Sequence, residues 1–247
     1  MVGTDKSGAA APDVSVVIPA YNEEESIEAC LDEVFAVMRS MGKPFEVLVI
    51  DDGSRDRTRE VLKRLKPSLP ELVILGFEGN HGETAGFDAG FKNARGKVVV
   101  ALDADLQNDP ADIPRLLELI GQWDVVCGYR RERHDSLVRR ISSRVANWTR
   151  RKVTGDNVRD VGCSLRAMRR ECVQNLKLYT GMHRFLPTLM MYDGWTVTEI
   201  PVNHRARRWG KSKYGISNRL WRGIKDLMAV HWMRKRWLTY RIEERIE

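Results

Sequence analysis

Short apolar runs alternate along the first half of the chain with stretches whose apolar residues recur every three or four positions. Val14-Ser15-Val16-Val17-Ile18 is a β-branched run that stops at Pro19. Phe45 to Ile50, Leu72 to Phe77, Lys97 to Leu102 and Asp124 to Gly128 are runs of the same kind, and each predicts a strand. Between the first two, Glu23 to Met41 carries Ile27, Leu31, Val34, Phe35 and Met38 at helical spacing. Asp56 to Leu65, Glu83 to Ala94 and Ala111 to Gly121 predict three more helices. Strands alternating with helices indicate an α/β fold with a mainly parallel sheet. Such sheets bind ligands outside the carboxyl ends of their strands.

The second half is less regular. Leu137 to Lys152 reads as a basic helix, Asp160 to Arg170 as mixed, and Met182 to Tyr192 as helical. Trp195 to Val202 alternates like a strand, and a loop rich in Arg, Lys and Gly follows from Arg205 to Gly215. A helix from about Ser217 to Arg241 closes the chain. No internal repeat or low-complexity segment is present. The domain reading is a disordered tail over 1–12, a catalytic domain over 13–216 and a C-terminal amphipathic helix over 217–247.

Charge narrows the partners. The 247 residues carry a formal net charge of +7, which points to an anionic partner: nucleic acid, a phospholipid surface or a phosphorylated substrate. Cys30, Cys127, Cys163 and Cys172 lack C-x-x-C spacing, so they imply neither a zinc site nor a disulfide framework. They read as core thiols of a reducing compartment. The first dozen residues lack the apolar core of a signal peptide. No window reaches the roughly 18 consecutive apolar residues of a spanning helix. The expectation is a cytoplasmic protein.

The polar residues with chemical content cluster just after the apolar runs. Asp103-Ala104-Asp105-Leu106-Gln107-Asn108-Asp109-Pro110 follows the fourth run. Carboxylates two apart on an extended segment point the same way, and with Gln107 they form an oxygen set suited to Mg²⁺ or Mn²⁺. Solvated acids at a strand end would look the same. Asp51-Asp52-Gly53-Ser54 follows the second run; it suits either a turn with Ser54 or Asp56 capping the next helix, or an acceptor for a base N–H or ribose hydroxyl. Tyr21-Asn22-Glu23-Glu24 follows the first, as a helix start or one wall of a nucleotide pocket. Neither G-x-G-x-x-G after the first strand nor G-x-x-x-x-G-K-[ST] anywhere is present, which argues against a dinucleotide dehydrogenase and a P-loop enzyme.

Together these segments resemble the family 2 glycosyltransferases of the GT-A fold, a Rossmann-like, mainly parallel sheet flanked by helices. The likeness runs from about Val14 to Arg241 and is greatest to the polyprenyl-phosphate glycosyltransferases, the group of dolichol-phosphate mannose synthase. It is carried by Val17-Ile18-Pro19-Ala20-Tyr21-Asn22-Glu23-Glu24, Asp51-Asp52-Gly53-Ser54, Thr84-Ala85-Gly86-Phe87-Asp88-Ala89-Gly90-Phe91 and the segment from Asp103 to Pro110. Arg144-Val145-Ala146-Asn147, Asp160-Val161-Gly162-Cys163 and Gly210-Lys211-Ser212-Lys213-Tyr214-Gly215 continue it, and His183-Arg184-Phe185 also matches. The resemblance implies that Pro19, Tyr21, Glu23 and Asp51 or Asp52 line the donor's base and ribose. Asp103, Ala104, Asp105 and Gln107 would hold the donor diphosphate, with Asp103, Asp105 and Gln107 on a divalent metal (Mg²⁺ or Mn²⁺). Arg130, Arg139, Arg140, Arg205, Ser212 and Lys213 would face phosphate groups. Asp105, Arg130 and Asp160 are the catalytic candidates, Asp160 either as a base or as a turn residue before Gly162. The processive-synthase signature Q-x-x-R-W is absent; Arg207-Arg208-Trp209 echoes only its end.

The implied reaction is inverting transfer from a UDP- or GDP-sugar to an undecaprenyl or dolichyl phosphate. A lipid phosphate is largely ionised at neutral pH, with a second pKa near ~6, and needs cations more than a base. The many cations and the lack of a His–carboxylate pair in the second half agree. The last helix interleaves Leu220, Trp221, Ile224, Leu227, Met228, Trp232, Met233, Trp237 and Leu238 with Arg and Lys. It suits a membrane surface or packing on the domain. The expected place is the inner face of the membrane, reached as a peripheral protein or through a membrane-anchoring partner protein. A glycan, protein or small-molecule acceptor on the same fold is the alternative. A basic nucleic-acid-binding protein is a remote one, since no nucleic-acid module is recognisable. A phosphatase is disfavoured, because its D-x-D would follow the first strand.

Overall fold

The computed structural model describes residues 11–130, 149–206, 216–238 and 243–244, with backbone alone for 216–222. Strands β1 (Val14–Ala20), β2 (Phe45–Asp51), β3 (Leu72–Gly76), β4 (Val98–Ala101), β5 (Val125–Arg130), β6 (Arg166–Arg169) and β7 (Val197–Val202) form one sheet in the order β3-β2-β1-β4-β6-β5-β7. The pairs β1·β2, β1·β4, β2·β3 and β5·β7 are parallel, and β6 runs antiparallel to both β4 and β5. Two antiparallel steps restore direction. All strands except β6 therefore point their carboxyl ends to the same edge.

Helices cover both faces: α1 (Ile27–Ser40), α2 (Thr58–Leu65), α3 (Glu83–Asn93), α4 (Ile113–Leu119), α5 (149–154), α6 (Arg170–Gln174), α7 (Leu186–Tyr192) and α8 (Ile216–Arg236). Alternation along the strands sorts the core. Val16, Ile18, Val47, Val49 and Val100 pack with Ile27, Leu31, Val34, Phe35 and Met38 of α1 and with Ile113 and Leu116 of α4. Val17, Leu48, Ile50, Val99 and Ala101 face the other way, onto Phe87 and Phe91 of α3, Leu186 and Leu189 of α7 and Val230 of α8.

The expected strands and the four first-half helices form, with shifted ends. The chain expected to be helical from Glu23 begins its helix only at Ile27, because 22–24 bond instead to the turn after β2. Residues 160–170, read as mixed, contain β6. The 1–10 part of the expected tail, Leu137 to Trp148 of the basic helix and 207–215 of the cationic loop lie outside the described residues.

Two glycines one helical turn apart set the fit of α3 on β1. A Cβ on Gly86 would lie 2.8 Å from Pro19 Cβ, and one on Gly90 would lie 2.2 Å from Val17 Cγ1. Both are closer than carbon atoms approach, so the T-A-G-F-D-A-G-F segment lets the helix backbone lie against the strand that leads into the site.

Candidate active site

Past β4 the burial pattern alternates. Ala104, Leu106 and Asn108 are buried, while Asp103, Asp105 and Gln107 are half-buried. The extended segment expected here does not continue, because Ala104 and Asp105 lie in a turn, and the alternation is one of burial alone. The chain then turns at Leu106, whose φ of +59° is rare for a branched side chain. That turn is closed by Gln107 N–H donating to Asp105 Oδ1 at 3.1 Å.

Asp103 sits in an excess of negative charge. Burial, then Glu83 and Asp105, push its pKa up to about 8, against the Ser164 hydroxyl and the Arg166 guanidinium, which pull it down. A cation set among these acids would relieve that strain, so the donor set fits a hard divalent ion. Among the described residues no three His, Cys, Asp or Glu side chains are already gathered around one point. An ion held here would complete its shell from the ligand's own oxygens, as Mg²⁺ commonly does with phosphates.

The segment after β7 runs beside this turn. Asn108 and His204 form an antiparallel bridge, and Arg205 N donates to Gln107 O at 2.8 Å. The His204 ring thereby comes to 3.5 Å from the Gln107 amide nitrogen.

The ends of β1 and β2 are laced together. Asn22 N donates to Ser54 Oγ (3.0 Å), Glu23 N to Thr58 Oγ1 (2.8 Å) and Glu24 N to Asp56 Oδ2 (3.1 Å). The aspartates of β2's end are buried and engaged. Asp51 accepts from Arg59 Nε (2.5 Å) and Ser54 N (3.0 Å). Asp52 accepts from His81 N (2.6 Å), Gly82 N (2.8 Å) and Asn80 Nδ2 (2.8 Å). Asp52 therefore anchors the loop that starts α3, and Gly53, at φ +66°, lies so close to Gly79 that a Cβ would sit 2.4 Å from its carbonyl carbon.

At the end of β5, Arg130 and Asp160 form a two-bond fork, Nε to Oδ2 at 2.7 Å and Nη2 to Oδ1 at 2.8 Å. Gly162 makes room for it: a Cβ there would lie 2.8 Å from Arg130 Nη2. Behind it, buried Arg166 of β6 donates to His183 O (2.9 Å) and Val161 O (3.0 Å). Thr84 Oγ1 accepts from Gly181 N (2.9 Å) and lies 2.7 Å from His183 Nδ1, with Glu83 Oε1 3.4 Å from His183 Nε2. Burial, Arg184 and Arg166 depress the His183 pKa to about 3, so the ring is neutral.

The family model for "Glycosyl transferase family 2" matches residues 15–177, a span holding every one of these acids. The chain belongs to glycosyl transferase family 2. An undecaprenyl-phosphate 4-deoxy-4-formamido-L-arabinose transferase of Pectobacterium atrosepticum is 43% identical over 206 residues, covering 82% of this chain and 63% of that protein. A dodecaprenyl-phosphate galacturonate synthase of Rhizobium johnstonii is 38% identical over 224 residues, covering 88% and 66%. The chain thus spans about 63% of the length of the first of these relatives. Among solved structures, a glucosyl-3-phosphoglycerate synthase of Mycobacterium tuberculosis in complex with phosphoglyceric acid aligns at TM-score 0.66 and 20% identity, over 90% of this chain and 80% of its own. A mannosyltransferase of Pyrobaculum calidifontis in complex with GDP-Man and Mn²⁺ aligns at 0.65 and 20%, over 93% and 66%. These likenesses show the GT-A fold.

In this family 2 chain the residues expected at the site gather along one sheet edge: Pro19, Tyr21 and Glu23 at or after the end of β1, Asp51 and Asp52 at the end of β2, Asp103 to Gln107 after β4, and Arg130 at the end of β5 with its partner Asp160. Arg139, Arg140, Ser212 and Lys213 lie outside the described residues. Arg205, expected on a phosphate, pairs with Glu33 (2.7 Å) and Asp109 (2.9 Å), tying the β7 exit to α1 and to the turn after β4. Sequence reasoning passed over His204 and Glu83. The available signal for His204 was its place just beyond a strand's carboxyl end.

Proposed function

We propose that this protein transfers a sugar from a UDP- or GDP-sugar to the phosphate of a polyprenyl phosphate, with a divalent metal and with inversion at the anomeric carbon. The observation that carries the acceptor is the pair of relatives, 43% and 38% identical, both named for polyprenyl phosphates. The site chemistry supports it. The bond from the anomeric carbon to the donor diphosphate breaks, its electron pair leaving with the nucleotide, and a lipid phosphate oxygen forms the new bond from the opposite face.

Asp103, Asp105 and Gln107 would hold a divalent ion, Mg²⁺ or Mn²⁺, which would supply positive charge where the diphosphate leaves. Tyr21, Glu23 and the loop anchored by Asp51 and Asp52 enclose the nucleoside. Arg130, held by Asp160, orients a phosphate oxygen by charge. An ionised acceptor gives up no proton, so Asp160 can spend both oxygens on Arg130 and the site works without a base. Because such an acceptor resides in a bilayer, the protein acts at the cytoplasmic face of a membrane. No helix among the described residues is long and apolar enough to cross one.

The test is transfer of label from a panel of UDP- and GDP-sugars into organic-extractable polyprenyl phosphate, with Mn²⁺ or Mg²⁺ and with chelator. Metal-dependent lipid labelling from one donor is expected. Metal-dependent nucleotide release with labelling only of a water-soluble glycan or phosphate ester would overturn the lipid acceptor.

A further inference from the structure

Helix α8 has two apolar faces, and the fold uses one. Val230 is fully buried, and Leu227, Met233 and Trp237 pack with it against the core beneath α3 and α7. Polar contacts fix the same face: His231 Nδ1 lies 3.0 Å from Val153 O, and the Trp237 and Tyr192 rings meet edge-on at 5.6 Å. At about 100° per residue, Met228 and Trp232 lie roughly 160° around the helix from Val230, with Ile224 beside them. Met228 is 67% exposed, Trp232 61% and Ile224 39%, and just past the helix Leu238 is 82% exposed. Of the six exposed large apolar residues among those described, three are on this one line and a fourth, Leu238, follows the end of the helix.

The charges beside the line are all of one sign. Lys225, Lys235 and Arg236 are exposed and fall on the same outer half of the helix. The Arg236 guanidinium carbon lies 5.6 Å from the Trp232 ring centre, an indole and a cation side by side at the edge of an apolar strip. We propose that the outer face of α8 docks the protein flat on an anionic phospholipid bilayer, with Ile224, Met228, Trp232 and Leu238 entering the headgroup–acyl boundary and Lys225, Lys235 and Arg236 on the lipid phosphates. An apolar strip flanked by cations on a helix lying in the surface plane is the pattern that interface binding requires. A second copy of the chain fits less well, because a twofold contact would set the same cations against one another. The surface stands on this exposure and charge and not on the identity of the acceptor.

The experiment is co-sedimentation of the purified chain with phosphatidylcholine vesicles, with and without phosphatidylglycerol. Binding is expected to anionic vesicles and to weaken with salt. Met228→Ser and Trp232→Ser should each weaken partition by about tenfold. Lys235→Glu with Arg236→Glu should abolish the preference for anionic lipid. These positions face away from the core, so melting temperature and transfer to a short-chain, detergent-dispersed polyprenyl phosphate should stay at wild-type level. Absence of vesicle binding by the wild type, or equal binding by the serine variants, would overturn the proposal. So would a dimer in solution that Trp232→Ser dissolves without any vesicle binding. Vesicle binding with no transfer to any lipid phosphate would leave this surface standing and sink the acceptor assignment instead.

Discussion

Replacing Gly90 by alanine tests whether the fit of α3 on β1 holds the site together. The new methyl would lie 2.2 Å from Val17 Cγ1 and 3.0 Å from Ile50 Cδ1. Both neighbours are fully buried, and valine is stiff about χ1, so the helix must lift. Overpacking of this kind costs about 1–3 kcal/mol. Exchanging glycine for alanine inside a helix returns about 1 kcal/mol. The 2.2 Å approach puts this position at the upper end of that range, so the net expectation is a loss of about 2 kcal/mol, read as a lower urea midpoint with unchanged slope. Val17→Ala alone should also destabilise, by roughly 2 kcal/mol, through lost burial and a cavity. The double variant should be more stable than the sum of the two predicts, by about 1–2 kcal/mol, because one methyl fills the space the other vacates. Since α3 begins at Glu83 and Thr84, and Glu83 acts on Asp103 just after β4, sugar-transfer activity should follow the same order. A Gly90→Ala protein as stable as wild type, or strict additivity in the double variant, would refute the reasoning.

Three further outcomes are expected. Asp105→Asn should lower metal-dependent turnover of the nucleotide-sugar by about 100-fold or more while leaving the melting temperature within a few degrees; a variant with wild-type turnover would remove Asp105 from the site. Asp156 lies fully buried between Arg150 Nη1 (2.8 Å) and Thr188 Oγ1 (2.5 Å), so Asp156→Ala should strand a buried guanidinium and cost about 3–5 kcal/mol in denaturant unfolding, with a loss under about 1 kcal/mol counting against the network. His183 is neutral in the fold, its pKa depressed to about 3, whereas the unfolded chain protonates it below about 6.5. Its contribution is therefore complete above pH 6.5 and is lost as pH falls toward 3, by up to about 1.4 kcal/mol per pH unit; His183→Gln should flatten stability between pH 6.5 and 4, and an unchanged slope would contradict the assignment.

The strands and the α/β class were legible because buried parallel strands are written as unbroken apolar runs. β6 was not: Arg166-Ala167-Met168-Arg169 has only two apolar residues, yet it lies inside the sheet with Arg166 buried and held by two carbonyls. Only tertiary context makes such a segment a central strand. The acids from Asp103 onward could be placed after a strand because that order is local, but the turn at 104–106, with Leu106 at φ +59°, was not legible and replaces the extended segment expected there. Asp51 and Asp52 could not be resolved, because a carboxylate at a strand end looks the same whether it will meet a ribose, an arginine or the loop at 80–82. Pairings such as Arg130 with Asp160, and His204 beside Gln107, join residues 30 and 97 positions apart, and no local pattern announces them. α8 was ambiguous for a related reason: its apolar residues belong to two faces, and only packing shows that Ile224, Met228 and Trp232 stay outside.

The most direct test of the central claim compares two acceptors that differ by one group, a polyprenyl phosphate and the corresponding polyprenol, with the donor and metal that give turnover. A site without a base, built around an ionised acceptor, should glycosylate the phosphate and leave the alcohol untouched. Transfer to the polyprenol hydroxyl at a comparable rate would contradict the account.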